Sequence, residues 1–152
     1  MGHDAVEIDF VMPWVDGSDP AWREEFLKYR ALQAPQGEPA CDTGTAAGAV
    51  DASEERYRDW DTLRYWFRGV ERFAPWVNRI HFITWGHLPA WLDTAHPKLH
   101  VVRHADYIPS PYLPTFNSCP IELNMHRIEG LAEHFVYFND DTFLCRPVGP
   151  ER

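Results

Sequence analysis

Two groups of acidic residues stand in turns at the ends of apolar runs. Asp16 and Asp19 lie in Trp14-Val15-Asp16-Gly17-Ser18-Asp19-Pro20, and Asp140 and Asp141 in Phe138-Asn139-Asp140-Asp141. Carboxylates grouped this way suit Mg²⁺ or Mn²⁺, hard ions that take oxygen ligands and share them with substrate phosphates. Such an ion can neutralise charge on a diphosphate as its bond breaks. Asp-Gly and Asn-Asp are also ordinary turn formers, and Asp19 before Pro20 is well placed to cap a helix, so spacing leaves both roles open. A third group is Glu122, His126 and Arg127, with Glu122 and His126 at i and i+4. A histidine supported by a carboxylate can take a proton from an attacking hydroxyl, and an arginine can hold phosphate through two parallel hydrogen bonds. The same residues can instead be the solvated face of an amphipathic helix buried through Ile121, Leu123, Met125 and Ile128, and spacing alone favours that. Arg64 and Arg68 sit one turn apart, able to meet phosphate or to pair with Asp61 and Glu71 as surface charges. Trp85, next to Gly86, is placed where a base or sugar ring can stack.

The elements that must position these residues follow from periodicity. Residues 7–15 are an apolar, β-forming run bounded by a turn, which predicts a buried strand; Pro20 to Gln33 then forms a helix with Asp19 at its start. From 34 to 54 the composition shifts to Pro, Gly, Ala, Thr and acidic residues, a flexible insertion. Leu63, Trp66, Phe67, Val70 and Ala74 fall at helical spacing within 56–75. Residues 80–85 predict a strand, Pro89 to Thr94 a short helix, 99–103 a strand, and Ile108 to Phe116 a Pro-rich loop. Asn117-Ser118 caps a helix running to Glu129 before Gly130, and 134–138 is a further strand. Strands alternating with helices predict an α/β fold with a mostly parallel sheet, in which ligands bind beyond the carboxyl ends of the strands. Both strand-end acidic groups then open onto one edge.

Composition narrows the partners. The 152 residues suit one domain, and 45% hydrophobic with 14% aromatic content is ample for a core. A formal charge of −9 argues against nucleic acid and anionic lipid, both of which need a basic surface. A phosphorylated ligand therefore requires a metal ion or a few local arginines. Cys41, Cys119 and Cys145 form neither a disulfide framework nor a zinc pattern, which fits a reducing compartment. No window approaches a membrane span and no secretory leader is evident, so a cytoplasmic location is expected. There is no Walker or GxGxxG loop to cradle phosphate.

Taken together, the ordered segments resemble the Stealth family, which includes bacterial capsular polysaccharide phosphotransferases and the animal N-acetylglucosamine-1-phosphotransferase. Ile8-Asp9-Phe10-Val11 with Trp14 to Pro20 is similar to its first conserved segment. Arg58, Asp61, Leu63-Arg64-Tyr65, Ala74-Pro75-Trp76-Val77, Leu113 to Ser118, Ile121-Glu122, His126 to Leu131 and Phe138-Asn139-Asp140-Asp141 are similar to its second. The resemblance implies a glycosyltransferase A-like, Rossmann-like nucleotide-sugar-binding core. It implies transfer of hexose 1-phosphate from a nucleotide diphosphate sugar to an oligosaccharide or polysaccharide acceptor in capsule synthesis, at the inner face of the bacterial membrane. By the same resemblance Asp16, Glu122, His126 and Arg127 are expected to be catalytic. Gly17, Asp19, Arg64, Thr84, Trp85, Asn117 and Ser118 are expected to bind substrate, and Asp140 and Asp141 a Mg²⁺ or Mn²⁺ ion. Met12-Pro13 replaces the family's usual Tyr-Thr and Trp85-Gly86-His87 its Asn-Gly-Gln, which alters the expected donor contacts. The family has further conserved segments beyond the Asn-Asp-Asp strand, so the C-terminal part of its domain is expected to be absent here.

Overall fold

A computed structural model describes residues 6–33 and 57–151. The 34–54 insertion and Cys41 lie outside the described residues. Four strands, β1 (Ile8–Pro13), β2 (Ile80–Thr84), β3 (Leu99–Arg103) and β4 (His134–Tyr137), form one parallel sheet in the order β3-β2-β1-β4. The α/β fold with a parallel sheet predicted from alternation is what forms. β1 pairs on both sides, Val11 opposite His81 of β2 and opposite Tyr137 of β4. A strand enclosed by neighbours and covered on both faces must be apolar throughout, and Phe10, Val11 and Met12 are at most 2% exposed.

Side chains alternate between two cores, as the pleat dictates. Phe10, Met12 and Phe82 face α2 (Leu63–Phe73), whose Leu63, Trp66 and Val70 form the buried stripe read from sequence. Val11, Ile83 and Val102 face Tyr107, Ile108, Met125 and Ile128. α1 (Pro20–Gln33) spans the predicted residues and packs through Trp22 and Phe26 on Phe116 and Tyr57, a separate aromatic cluster beside the sheet.

Three local predictions need correction. Residues 89–94 form turns, not a helix; a segment this short has too few intrahelical bonds to offset nucleation. The loop predicted from Ile108 to Phe116 contains a single 3₁₀ turn (Ser110–Tyr112), and before it stands a short helix α3 (His104–Tyr107) for which no element was predicted. The helix expected to reach Glu129 divides into α4 (Ser118–Leu123) and a 3₁₀ turn (Met125–Arg127). The break is at Asn124, whose side-chain amide donates to the Pro120 carbonyl at 2.8 Å and displaces the next backbone bond. The phase therefore slips, leaving Leu123 74% exposed while Met125 and Ile128 stay buried.

One polar group lies wholly inside the sheet. Asp9, fully buried on β1, accepts from the Asn78 side chain at 2.8 Å, the His81 Nε2–H at 2.8 Å and the Ala132 amide at 2.9 Å. Burial alone would raise its pKa, but these three bonds outweigh that and hold the carboxyl below the usual range. Burial lowers the His81 pKa against the pull of Asp9, so the pair is a carboxylate and a neutral imidazole. The bare His81 Nδ1 then accepts from His100 Nδ1–H on β3 at 3.0 Å. One chain of hydrogen bonds thus ties β1, β2, β3 and the entry to β4. Asp9→Ala leaves the buried His81 and the less buried Asn78 and Ala132 donors without their acceptor and is expected to cost about 3–5 kcal/mol, measured by urea unfolding; a loss below about 1 kcal/mol would show that the clamp contributes little.

Candidate active site

Because all four strands run parallel, their carboxyl ends share one edge, and a cleft of about 260 Å³ opens there. Trp14, Trp22 and Phe116 supply aromatic walls, and Thr115, Ser118, Glu122, Asn139 and Asp140 supply polar groups. Asp140 continues into a second hollow with Asp141, Asp59 and Arg58. Partial burial raises the Asp140 pKa first, and the charges of Asp141 and Asp59 add to the rise. Three carboxylates therefore crowd negative charge onto one spot. Among the described residues no group of three or more acidic, histidine or cysteine side chains is arranged to hold a metal ion, Asp59, Asp140 and Asp141 included. An open pair of carboxylates is nevertheless the donor set by which Mg²⁺ is held when phosphate oxygens complete its shell.

The acidic residues nearer the N-terminus are used differently. Asp16 Oδ1 accepts from the Ser18 amide at 2.8 Å and its hydroxyl at 2.6 Å, closing a turn. Asp19 Oδ1 accepts from the Trp22 amide at 2.8 Å and so caps α1. Asp16 and Gly17 border a neighbouring hollow, and Asp59 belongs to both hollows. Asp59, which spacing did not single out, is thus the carboxylate that joins Asp140 and Asp141. Gly17 is required by close approach, since a Cβ there would stand 2.7 Å from the Tyr57 Cβ and carbonyl oxygen.

The remaining candidates divide between the cleft and the scaffold. Ser118 and Glu122 line the cleft, and Asn117 caps α4 by accepting from the Cys119 amide at 3.0 Å. Glu122 does not support His126: it accepts from Tyr137 Oη at 3.1 Å, because the break at Asn124 removes the i, i+4 phase. His126 Nδ1–H donates to the Leu123 carbonyl at 3.0 Å, which leaves Nε2 as a bare acceptor on an exposed ring. Arg127 is exposed beside it. Arg64 points away from the cleft, 3.8 Å from Asp61 and with its guanidinium 5.2 Å from the Trp91 ring centre. Thr84 is buried, its hydroxyl donating to the His87 carbonyl at 2.6 Å and accepting from the Gly86 amide at 3.1 Å. Trp85 packs against the aromatic cluster of α1. His87 accepts the Asp16 amide at 2.9 Å on Nε2 and lies against Trp14, fixing the loop after β1.

Sequence comparison places this edge among relatives. Family models described as Stealth protein conserved region 1 and conserved region 2 match residues 6–32 and 56–152. The chain belongs to the Stealth family. A Streptococcus pneumoniae relative named capsular polysaccharide phosphotransferase WcwK is 56% identical over 137 residues, 90% of this chain and 38% of its own length. Receptor polysaccharide phosphotransferase WefC of Streptococcus oralis is 47% identical over 95% of this chain and 40% of its own. Capsular polysaccharide phosphotransferase CpsJ of Streptococcus thermophilus is 48% identical over 93% of this chain and 55% of its own. The chain thus spans about two-fifths to a little over half the length of these Stealth relatives. Among the described residues no helix is long and apolar enough to cross a membrane.

Titration at this edge bears on stability. His104, at the head of α3, lines the cleft, and burial followed by the nearby His87 lowers its pKa from 6.5 to about 4. Burial lowers His87 as well, against the pull of Asp19 and Asp16. A folded pKa below the unfolded value means the unfolded chain binds the extra proton. The stability contributed by neutral His104 is therefore complete above pH 6.5 and lost as pH falls towards 4, up to about 3 kcal/mol and about 2 kcal/mol of it by pH 5. Urea unfolding at pH 7.5 and pH 5 should show that loss, and His104→Phe should remove most of it. For Asp140 the sign reverses: a raised carboxyl pKa costs stability above its unfolded value, so Asp140→Asn should raise the metal-free melting temperature in calorimetry.

Proposed function

We propose that this chain forms the donor- and metal-binding edge of a sugar-phosphate transferase of capsular or exopolysaccharide synthesis. The observation that carries the reading is the Asp140, Asp141 and Asp59 group beside an aromatic cleft at the carboxyl ends of a parallel sheet. The names of the similar streptococcal proteins support the reaction class. The donor is a nucleotide diphosphate sugar of the UDP-N-acetylglucosamine kind, and the acceptor an oligosaccharide or polysaccharide hydroxyl. The acceptor oxygen attacks the phosphorus bearing the sugar, the bond from that phosphorus to the bridging oxygen breaks, and nucleoside monophosphate leaves with the electron pair. Hexose 1-phosphate is thereby transferred whole, and the acceptor proton passes to a base. His126 suits that part, since its Nδ1–H is tied to a carbonyl and its Nε2 is bare.

In a transfer of this kind positioning and charge neutralisation matter most. Asp140 and Asp141 would hold Mg²⁺ or Mn²⁺, which when bound offsets the charge of the diphosphate. Burial, and after it the charges of Asp141 and Asp59, raises the Asp140 pKa, and a cation would relieve the charge repulsion, which supports the assignment. The arrangement resembles a glycosyltransferase A-like core in layout, and the work is expected at the cytoplasmic face of the membrane. Calorimetric titration with UDP-N-acetylglucosamine should show binding that requires Mn²⁺ and weakens about a hundredfold or more in Asp140→Asn. In the same mixture an oligosaccharide acceptor should release UMP. Release of UDP would identify hexosyl transfer instead, and metal-independent binding or none would overturn the site.

A further inference from the structure

Among the described residues four buried side-chain nitrogens meet no hydrogen-bond partner: Trp14 Nε1, Trp66 Nε1, His87 Nδ1 and His104 Nδ1. Trp66 lies in the core under α2, but the other three gather where β1, β2 and β3 end. Buried polar groups are almost always paired, so an orphan is informative, and at His104 it decides which ring nitrogen carries the proton. His104 is 9% exposed and lines the cleft, with its Nδ1 sealed from water. A bare lone pair is cheaper to bury than an unpaired N–H, so the ring proton sits on Nε2. Burial keeps the ring neutral at physiological pH. It is thus a directional donor suited to an uncharged oxygen and gives a phosphate no counter-charge.

Its surroundings select the ligand class. Trp22 and Phe116, each at most 8% exposed, add apolar edges to the cleft wall, and Thr115, Ser118, Asn139 and Glu122 line it beside them. Apolar rings interleaved with hydroxyl, amide and carboxylate groups fit a pyranose, which has apolar C–H faces and a rim of hydroxyls. They do not fit a diphosphate, which demands positive charge. We propose that His104 is a specificity-determining residue of a hexopyranose subsite, donating its Nε2–H to an oxygen of the sugar. The assignment rests on the reading of this edge as a nucleotide-sugar site and adds the group that faces the sugar. The pyranose belongs either to the donor or to the acceptor, and the chemistry of recognition is the same.

The test compares the wild-type chain with H104F, which keeps a ring without a donor, and H104Q, which keeps a donor. Calorimetry with Mn²⁺ would use UDP-N-acetylglucosamine, UDP and a capsular oligosaccharide free of nucleotide. H104F should bind one of the two sugar-bearing probes roughly tenfold more weakly, leave UDP unchanged and recover in part as H104Q. Its melting temperature at pH 7.5 should not fall, because the change removes an orphaned nitrogen; a purely structural histidine would lose stability and affect all probes alike. Weakening confined to UDP-N-acetylglucosamine assigns the subsite to the donor, and weakening confined to the oligosaccharide assigns it to the acceptor. Metal-dependent donor binding that H104F leaves intact, with oligosaccharide binding intact or absent, overturns this inference while the proposed function stands. Oligosaccharide binding that depends on His104 without any UDP-sugar binding keeps the subsite and overturns the donor reading. Failure of all probes to bind the wild-type chain overturns both.

Discussion

The buried carboxylate of Asp9 is the constraint on which the rest of the sheet depends. An ionised group with no exposure can be kept only where donors surround it, and Asn78, His81 and Ala132 each bring one from a different segment. Two of those segments lead into β2 and β4, the neighbours of β1. Hydrophobic burial would tolerate a slip of these strands by two residues, since the same faces would still be apolar; a carboxylate that must meet three donors would not. Register fixed at the amino ends also sets where the carboxyl ends finish. Asp140 and the loop after β1 share an edge because Asp9, well below them, admits one alignment.

The acidic residues show how neighbours decide what one side-chain type does. Asp9 is surrounded by donors and serves as a clamp, Asp16 closes a turn, and Asp19 caps α1. Asp140 has carboxylates for neighbours in place of donors, so its charge is a liability to the fold. A protein of net charge −9 gains nothing in stability from that arrangement. The cation of the proposed function would relieve that crowding, an instance of the usual opposition between stability and function at a site.

Much of this was legible from residue order, for reasons that also explain what was not. Strands β1 to β4, α1 and α2 were readable because burial imposes a period on apolar residues, and the shared edge of the two acidic turns followed from parallel topology. The end of α4 was not, because the decisive event is one side-chain amide at Asn124 taking the carbonyl of Pro120, and no periodicity reports that. With it went the Glu122–His126 pair and the burial of Leu123. Asp59 could not be placed, since it stands in an irregular stretch before α2 and comes near Asp140 only through tertiary packing, which no period reports. Spacing left Arg64 open between phosphate and Asp61, because it tells which residues share a helix face and nothing about what that face meets, here Asp61 and Trp91.

Phosphoryl transfer asks little covalent chemistry of a protein and much control over charge and orientation. In the transfer proposed for this edge the two demands would fall to different sides of the same residue, Asp140. On one side of Asp140 lie further carboxylates, suited to a cation and the diphosphate it would neutralise. On the other lie aromatic rings and hydroxyl, amide and imidazole groups beside the Glu122 carboxylate, a set without positive charge and suited to a sugar. An imidazole could have disturbed that division by protonating, but sealing His104 against β3 and its turn keeps it neutral. The absence of positive charge from the cleft is thus kept by the burial of His104, at the end of a strand whose place in the sheet follows from the pairing that Asp9 helps to fix.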